Sequence, residues 1–146
     1  MGEHAEGSIV IDAPAAEIMD VITDYEAYPE WAEVKSARVL KRGEGGLATE
    51  VAYEVEVPLL GRASYTLAYR YAGDAGVSWV TKEARGAVSN ITGEYLLNEL
   101  DGGRTEVTYR LSVELSVLLP GIVRTQGAKR VIENALEHLK QRVELG

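Results

Sequence analysis

The 146-residue chain has no cysteine, no phenylalanine and only two histidines. Without cysteine it can form no disulfide, no thiolate nucleophile and no cysteine-ligated zinc or iron–sulfur site. The histidines are His4, near the N-terminus, and His138, in the predicted last helix. They are too few for a histidine-rich metal site or a Ser-His-Asp triad. We therefore expect no metal and no cofactor.

Positive charge and long apolar runs are also scarce. The formal net charge is −8, which repels phosphate backbones and anionic headgroups, so we expect no nucleic-acid partner. No apolar run approaches the roughly 20 residues that cross a bilayer, so we expect no stable membrane insertion. Residues 1–7 are polar and lack the apolar segment of a secretory signal, and they are predicted to be a flexible tail of a cytoplasmic protein.

Residues 8–33 are predicted to form a short strand followed by two helices, at the start of a single domain spanning 1–146. The strand is placed at 8–12. A first helix should run from about Pro14 to Thr23, because Asp12 can cap it and proline fits the first turn. A second short helix is expected over 25–33. The apolar stripe of the first helix consists of Ile18, Val21 and Ile22.

Alternating hydrophobicity, broken by short clusters of glycine, aspartate and proline, predicts six further strands. They are placed at 34–42, 47–57, 62–72, 76–83, 87–99 and 104–117. Turns this short favour antiparallel neighbours. Apolar and polar residues alternate along these strands, so one face of the sheet should be buried. The inward set includes Val51, Tyr53, Val55, Val57, Tyr65, Leu67, Tyr69, Tyr71, Val107, Tyr109, Leu111, Val113 and Leu115, with Thr66 and Arg70 facing outward.

Residues 121–145 return to a helical period. At about 1.5 Å per residue this helix spans roughly 35 Å, enough to lie along the whole sheet. Its apolar stripe consists of Ala128, Val131, Ile132, Ala135, Leu136, Leu139 and Val143. The predicted fold is α+β: a curved antiparallel sheet of about seven strands wrapped around a long C-terminal helix, with two short helices after the first strand.

Such an arrangement favours a cavity, because a helix laid in a curved sheet touches it only along one line. The residues near the start of the helix, Gly127 and Ala128, are small, which leaves room between helix and sheet there. Buried tyrosine hydroxyls need hydrogen-bond partners, so a tyrosine-rich lining indicates a partly wet interior. The expected ligand-binding residues are Trp31, Tyr53, Tyr65, Leu67, Tyr69, Trp79, Tyr95, Tyr109, Leu111, Arg124, Thr125 and Ala128.

Each of these assignments has a structural alternative. The tyrosines could lie at strand ends with their hydroxyls in solvent. Arg124 could reach past the sheet edge to solvent or to a strand glutamate. Trp31 and Trp79 could be ordinary core residues, and His138 an ordinary residue of the helix surface.

The chain resembles the START-like polyketide cyclase/dehydrase and lipid-transport superfamily, which has the helix-grip fold and includes coenzyme-Q-binding proteins. The resemblance rests on Ile11-Asp12-Ala13-Pro14, on the Asp24-x-x-x-Tyr28-Pro29-x-Trp31 segment, on the strand opening Gly103 to Tyr109, and on the long terminal helix. It covers nearly the whole chain. In the aromatase/cyclases of this superfamily, a pocket arginine and hydroxyl-bearing side chains on the middle strands are thought to direct cyclisation and dehydration. Here the matching strand turns Arg70 outward unless a bulge reverses it.

Three functions remain open. The first is a carrier that binds a small hydrophobic molecule such as a polyketide, an isoprenoid quinone or a lipid. The second is an aromatase/cyclase-type enzyme, with Arg124 or Arg70 polarising a carbonyl and Tyr69 exchanging a proton. The third is an interaction module that contacts a protein partner through Leu59-Leu60 or Leu118-Leu119. In each case we expect a monomer or a weak dimer.

Overall fold

A computed structural model of the chain describes residues 3–57, 60–116 and 121–146, with the side chains of the last range described from Gln126 onward. Its strands form a seven-stranded sheet in the order β1-β7-β6-β5-β4-β3-β2. Every neighbouring pair is antiparallel, as the short turns predict. The strands are β1 Glu3–Ile11, β2 Ser36–Arg42, β3 Ala48–Val57, β4 Gly61–Tyr71, β5 Gly76–Gly86, β6 Val88–Glu99 and β7 Thr105–Leu115.

Two helices and two short 3₁₀ segments complete the described fold. Helix α1 spans Ala15–Ile22 and the long helix α2 spans Gly121–Leu145. A 3₁₀ helix at Tyr25–Glu30 replaces the second helix expected over 25–33, and a further 3₁₀ turn lies at Glu44–Gly46. The predicted α+β architecture, an antiparallel sheet packed against a long C-terminal helix, is confirmed.

The N-terminal boundary of the first strand was predicted wrongly. Residues 3–7, expected to belong to a flexible tail, pair with β7 from Val113 to Tyr109. An eleven-residue β7 would otherwise expose a row of unpaired backbone groups at the sheet edge, and β1 satisfies them. Helix α1 also begins at Ala15 without the predicted Asp12 cap, because the N-cap position is Pro14, whose side chain has no acceptor. The Asp12 backbone amide donates to the Glu144 carboxylate at 2.9 Å.

Helix α2 packs mainly on β1, through a narrow buried stripe of Ile132, Leu136 and Leu139. A Cβ atom built on Gly7 of β1 would lie 2.7 Å from Cγ2 of Ile132, so glycine there permits the close approach of helix and strand. Val131, expected in the stripe, is 46% exposed. It precedes Ile132 by one residue, which turns it about 100° around the helix and away from β1.

Strand parity follows the prediction on the inner face. Tyr53, Leu67, Tyr69 and Tyr109 are buried, whereas Arg70 is exposed. Thr66, predicted to face outward, is nevertheless 6% exposed. The β4–β5 pairing skips Lys82 beside Thr66, and a bulge of this kind bends its strand locally.

Two glycine-to-alanine substitutions test the close packing of α2 on β1. Gly7→Ala should lower the free energy of unfolding by about 1–3 kcal/mol, because the new methyl overlaps Ile132. Gly127→Ala should raise it by about 1 kcal/mol through helix propensity, since an added Cβ there meets no described atom within 4 Å. Urea denaturation measures both values, and equal effects of the two substitutions would contradict this packing.

Candidate functional site

All ten aromatic residues of the chain meet in one cluster on the inner face of the sheet. Neighbouring ring centroids lie between 4.5 and 6.5 Å apart. Three rings come from the 3₁₀ helix 25–30 and the residue that follows it, and the strands β3 to β7 supply the others through their alternation. The members are Tyr25, Tyr28, Trp31, Tyr53, Tyr65, Tyr69, Tyr71, Trp79, Tyr95 and Tyr109.

A glycine opposite Trp79 makes room for the largest ring. Gly93 pairs with Trp79 across β5 and β6. A Cβ atom there would lie 2.8 Å from Cζ2 of the indole and 2.6 Å from the Arg110 carbonyl oxygen. The indole therefore lies over the glycine and reaches Tyr95 and Tyr109, at centroid distances of 5.5 and 5.8 Å.

The hydroxyl groups nearest α1 are satisfied inside the protein. The hydroxyls of Tyr53 and Tyr69 lie 2.5 Å apart, and those of Tyr25 and Tyr71 lie 2.9 Å apart. Tyr71 also donates to the Ala48 carbonyl oxygen at 2.6 Å. This half of the cluster can stay dry, because its polar atoms are paired.

Three tyrosine hydroxyls farther from α1 differ in their hydrogen bonding. Within the described residues, the hydroxyls of Tyr65, Tyr95 and Tyr109 make no hydrogen bond to the protein. Burial raises the pKa of all three, and for Tyr109 the proximity of Tyr95 and Tyr65 raises it further. They are neutral groups that face a common region and can donate or accept a hydrogen bond there.

The walls of that region are apolar and only half-buried. Val55, Ile91 and Val113 point inward yet remain partly exposed, and Ala128 on α2 is half-buried, one turn before Ile132. At the opposite end of the sheet, Ile18 of α1 and Val51 of β3 are fully buried. The interior is therefore tightly packed beside α1 and looser toward the first turns of α2.

Charged side chains stay out of this interior wherever side chains are described. Among the described residues the buried polar ones are Thr66, on the outer face, and Thr105, whose hydroxyl donates to the Ala13 carbonyl oxygen at 2.8 Å. Of the candidate catalytic residues, Tyr69 lies inside and Arg70 is exposed on the outer face. Burial raises the pKa of Tyr69 well above its usual range, so it is a poor proton donor at neutral pH.

Several residues predicted to bind a ligand or a partner lie outside the described residues, and Trp31 lies at the edge of the aromatic cluster. The side chains of Arg124 and Thr125, and the residues Leu59, Leu118 and Leu119, lie outside the described residues. Trp31 packs edge-on against Tyr28 at 5.0 Å. It also borders an open surface groove of about 380 Å³. Other residues of this groove include Glu30, His138, Gln141 and Arg142.

Among the described residues, no group of three or more His, Asp or Glu side chains is placed to hold a metal ion. None of the helices within these described residues is long and apolar enough to span a membrane.

The alternation in the sequence predicted the inward tyrosines correctly but did not predict the close approach of Ile132 to Gly7 or of Trp79 to Gly93. The available signal was a glycine at an otherwise apolar position of a strand, which often marks a close approach of backbone and side chain. Gly93 fits that signal, whereas Gly7 lies in the segment that was expected to be a tail. The signal does not say which distant residue approaches.

Comparison with known proteins places the fold in a family. Residues 3–144 match the family model described as "Polyketide cyclase / dehydrase and lipid transport". No curated protein matches the chain in sequence.

Solved structures with the same fold come from several bacteria. A START superfamily protein from Mycobacterium smegmatis is 22% identical, with a TM-score of 0.88 over 97% of each chain. The Zhui aromatase/cyclase from Streptomyces sp. R1128 is 18% identical, with a TM-score of 0.79 over 99% of this chain and 94% of that one. A STAR-related lipid transfer protein from Xanthomonas axonopodis is 19% identical, with a TM-score of 0.73 over 97% of this chain and 85% of that one.

The Tyr53–Tyr69 hydroxyl pair predicts non-additive stability changes. Tyr69→Phe leaves the Tyr53 hydroxyl buried without its partner and should cost about 1–3 kcal/mol. The double variant Tyr53→Phe/Tyr69→Phe leaves no orphaned hydroxyl and should cost no more than the single one. Urea denaturation of the single and double variants checks this, and additive losses would contradict it.

Alkaline titration tests the burial of the tyrosines. Burial raises the pKa of all eight above the usual value of about 10. The unfolded chain therefore loses protons first, so stability is complete below about pH 10 and falls as the pH rises further. Tyrosinate absorbance should appear in one step together with loss of the circular-dichroism signal. A gradual rise near pH 10 in a folded protein would refute the burial.

Proposed function

Since this chain belongs to the polyketide cyclase/dehydrase and lipid transport family, we propose that it binds and carries a small hydrophobic molecule in a cavity between the inner face of its sheet and α2. The observation that carries the proposal is the pairing of half-buried apolar walls with the hydroxyls of Tyr65, Tyr95 and Tyr109, which lack protein partners within the described residues. Apolar pockets with a few convergent polar groups are the usual form of small-molecule sites.

The chemistry of the lining favours binding over turnover. General acid–base catalysis needs a group whose pKa lies near the working pH. The interior tyrosines have pKa values raised by burial, and the described interior holds no charged side chain. Neutral hydroxyls on apolar walls suit an oxygen-bearing apolar ligand, such as a polyketide, an isoprenoid quinone or a lipid.

A polyketide aromatase/cyclase activity in the same cavity is the second candidate. It is favoured by the likeness in fold to the Zhui aromatase/cyclase. It would require a cation at the cavity wall to polarise a carbonyl. Arg70 faces outward, which leaves Arg124 as the residue that would have to perform this role.

Blocking the proposed cavity from α2 should abolish binding. Ala128→Trp places an indole one turn before Ile132, over the loosely packed region, and should weaken binding of the neutral dye Nile red by at least about tenfold. Gln126→Trp adds the same ring at an exposed position of the helix and should leave affinity unchanged. Fluorescence titration gives the affinities, and thermal melting shows that both variants fold.

These outcomes test the position of the cavity separately from the choice between carrier and cyclase. Equal dye affinity in wild type and both variants would place the dye elsewhere and contradict the cavity. The cyclase alternative is tested separately, because Arg124→Gln should abolish turnover of a polyketide analogue while dye binding persists. Absence of turnover by wild-type protein that binds the same analogue supports the carrier.

A further inference from the structure

A polar groove of about 530 Å³ lies on the outer face of the sheet, across β5, β6, β7 and β1. Because side chains alternate along a strand, this face is opposite to the one that carries the tyrosines. The groove is therefore separate from the proposed interior cavity. The side chains that border it on the outer face include those of His4, Glu6, Thr92, Glu94, Arg110 and Ser112.

The N-terminal strand brings a histidine of this groove beside a serine. His4 lies directly opposite Ser112 in the β1–β7 pairing, and its Nδ1 atom forms a hydrogen bond with the Ser112 hydroxyl. His4 is exposed and Ser112 is half-buried. With the ring proton on Nε2, Nδ1 is an acceptor and the serine donates to it. A serine hydroxyl in contact with an imidazole base is the arrangement that activates a nucleophile.

A cation lies two residues away on the same strand face. Arg110 donates through Nε to Glu6 and through Nη1 to Glu94, the latter at 3.3 Å, so carboxylates on both neighbouring strands hold its guanidinium. A spacing of two residues is about 7 Å along a strand. These contacts leave further N–H donors of the guanidinium unused. Such donors can stabilise the negative charge that forms on a carbonyl oxygen when Ser112 attacks it.

A second pair of side chains on the same two strands lacks the base. The hydroxyls of Ser8 and Thr108, which also lie directly opposite one another, are 2.9 Å apart. A threonine hydroxyl is a far weaker proton acceptor than an imidazole, so Ser8 should stay unreactive. Ser8 therefore serves as the matched control for Ser112.

We propose that Ser112 and His4 form a surface site that hydrolyses small esters, independently of ligand binding in the interior. Ser112 Oγ attacks the ester carbonyl carbon while His4 Nδ1 takes the hydroxyl proton. The bond to the leaving alcohol oxygen then breaks, and His4 returns that proton to the alcohol, which leaves an acyl group on Ser112. Water attacks this acyl group, His4 passes a proton from the water to Ser112 Oγ, and a carboxylic acid leaves.

The charges around the groove restrict the ester. Glu6 and Glu94 outnumber Arg110 there, and the whole chain carries a net charge of −8, so an anionic ester is repelled. The side chains on this face are hydroxyls, carboxylates, an imidazole and a guanidinium. The expected substrates are therefore neutral or cationic esters with short acyl groups.

Covalent labelling tests the nucleophile. A fluorophosphonate probe reacts with a serine hydroxyl that a base activates, and peptide mass spectrometry identifies the labelled serine. Ser112 should be labelled in the wild type and Ser8 should not. His4→Gln keeps a hydrogen-bonding side chain but removes the base, and should slow labelling of Ser112 at least about tenfold. Circular dichroism shows whether this variant, altered at an exposed position, is folded.

Ester hydrolysis tests the pair as a unit. With p-nitrophenyl acetate, which is neutral, Ser112→Ala and His4→Gln should each lower the rate at least about tenfold. The double variant should be no slower than either single one, because the two side chains act together. Ser8→Ala should match the wild type. Ala128→Trp, which blocks the proposed interior cavity, should hydrolyse the ester at the wild-type rate.

The results separate this site from the proposed carrier. Equal labelling of Ser112 and Ser8, or unchanged hydrolysis in both Ser112→Ala and His4→Gln, would overturn the surface site and leave the carrier function untouched. Failure of the wild type to bind Nile red would overturn the carrier and leave the surface site standing. Hydrolysis lost in a folded Ala128→Trp variant would place the reaction in the interior and overturn its assignment to Ser112.

Discussion

A seven-stranded sheet has more inner face than one helix can cover, and the rest of this structure follows from that constraint. Helix α2 lies mainly along β1, where Gly7 lets it approach closely. The inner faces of β3 to β6 must then be covered by their own side chains and by the segment after α1. Ten aromatic rings provide much of that cover, most closely packed at the α1 end. Toward the first turns of α2 the walls stay half-exposed.

The choice of tyrosine over phenylalanine fits this division of the interior. A dry core of the same shape would be served as well by phenylalanine, and the chain has none. Near α1 the hydroxyls bind one another or a backbone carbonyl, as in the Tyr53–Tyr69 and Tyr71–Ala48 contacts. Farther along, Tyr65, Tyr95 and Tyr109 present neutral hydroxyls to the looser region. The same residue type thus serves both as core and as lining.

Local pattern was enough to predict which way most side chains point. Tyr53, Leu67 and Tyr109 inside and Arg70 outside follow from alternation alone, and the helix over 121–145 follows from its period. These features depend on neighbours a few residues apart. The chain also matches a family model whose members share this fold.

What the sequence could not predict depends on distant partners. Residues 3–7 form a strand because β7 offers them an edge, and the buried Thr66 lies beside a bulge at Lys82 of the next strand. The backbone ladder between β5 and β6 ends at Trp79 and Gly93, and bulges at Lys82 and Ser89 lie beyond that point. A hairpin with a short turn predicts continuous pairing. Only the fold shows that the Thr81 hydroxyl binds the Ile91 backbone there instead.

The central claim is that the loosely packed interior holds a small apolar molecule. Native mass spectrometry of freshly purified wild-type protein, followed by organic extraction of whatever remains bound, tests it most directly. The account predicts a discrete adduct of one small molecule per chain, apolar, uncharged and bearing oxygen. Protein at its bare sequence mass that also gains no adduct when incubated with polyketide, quinone and lipid mixtures would contradict it.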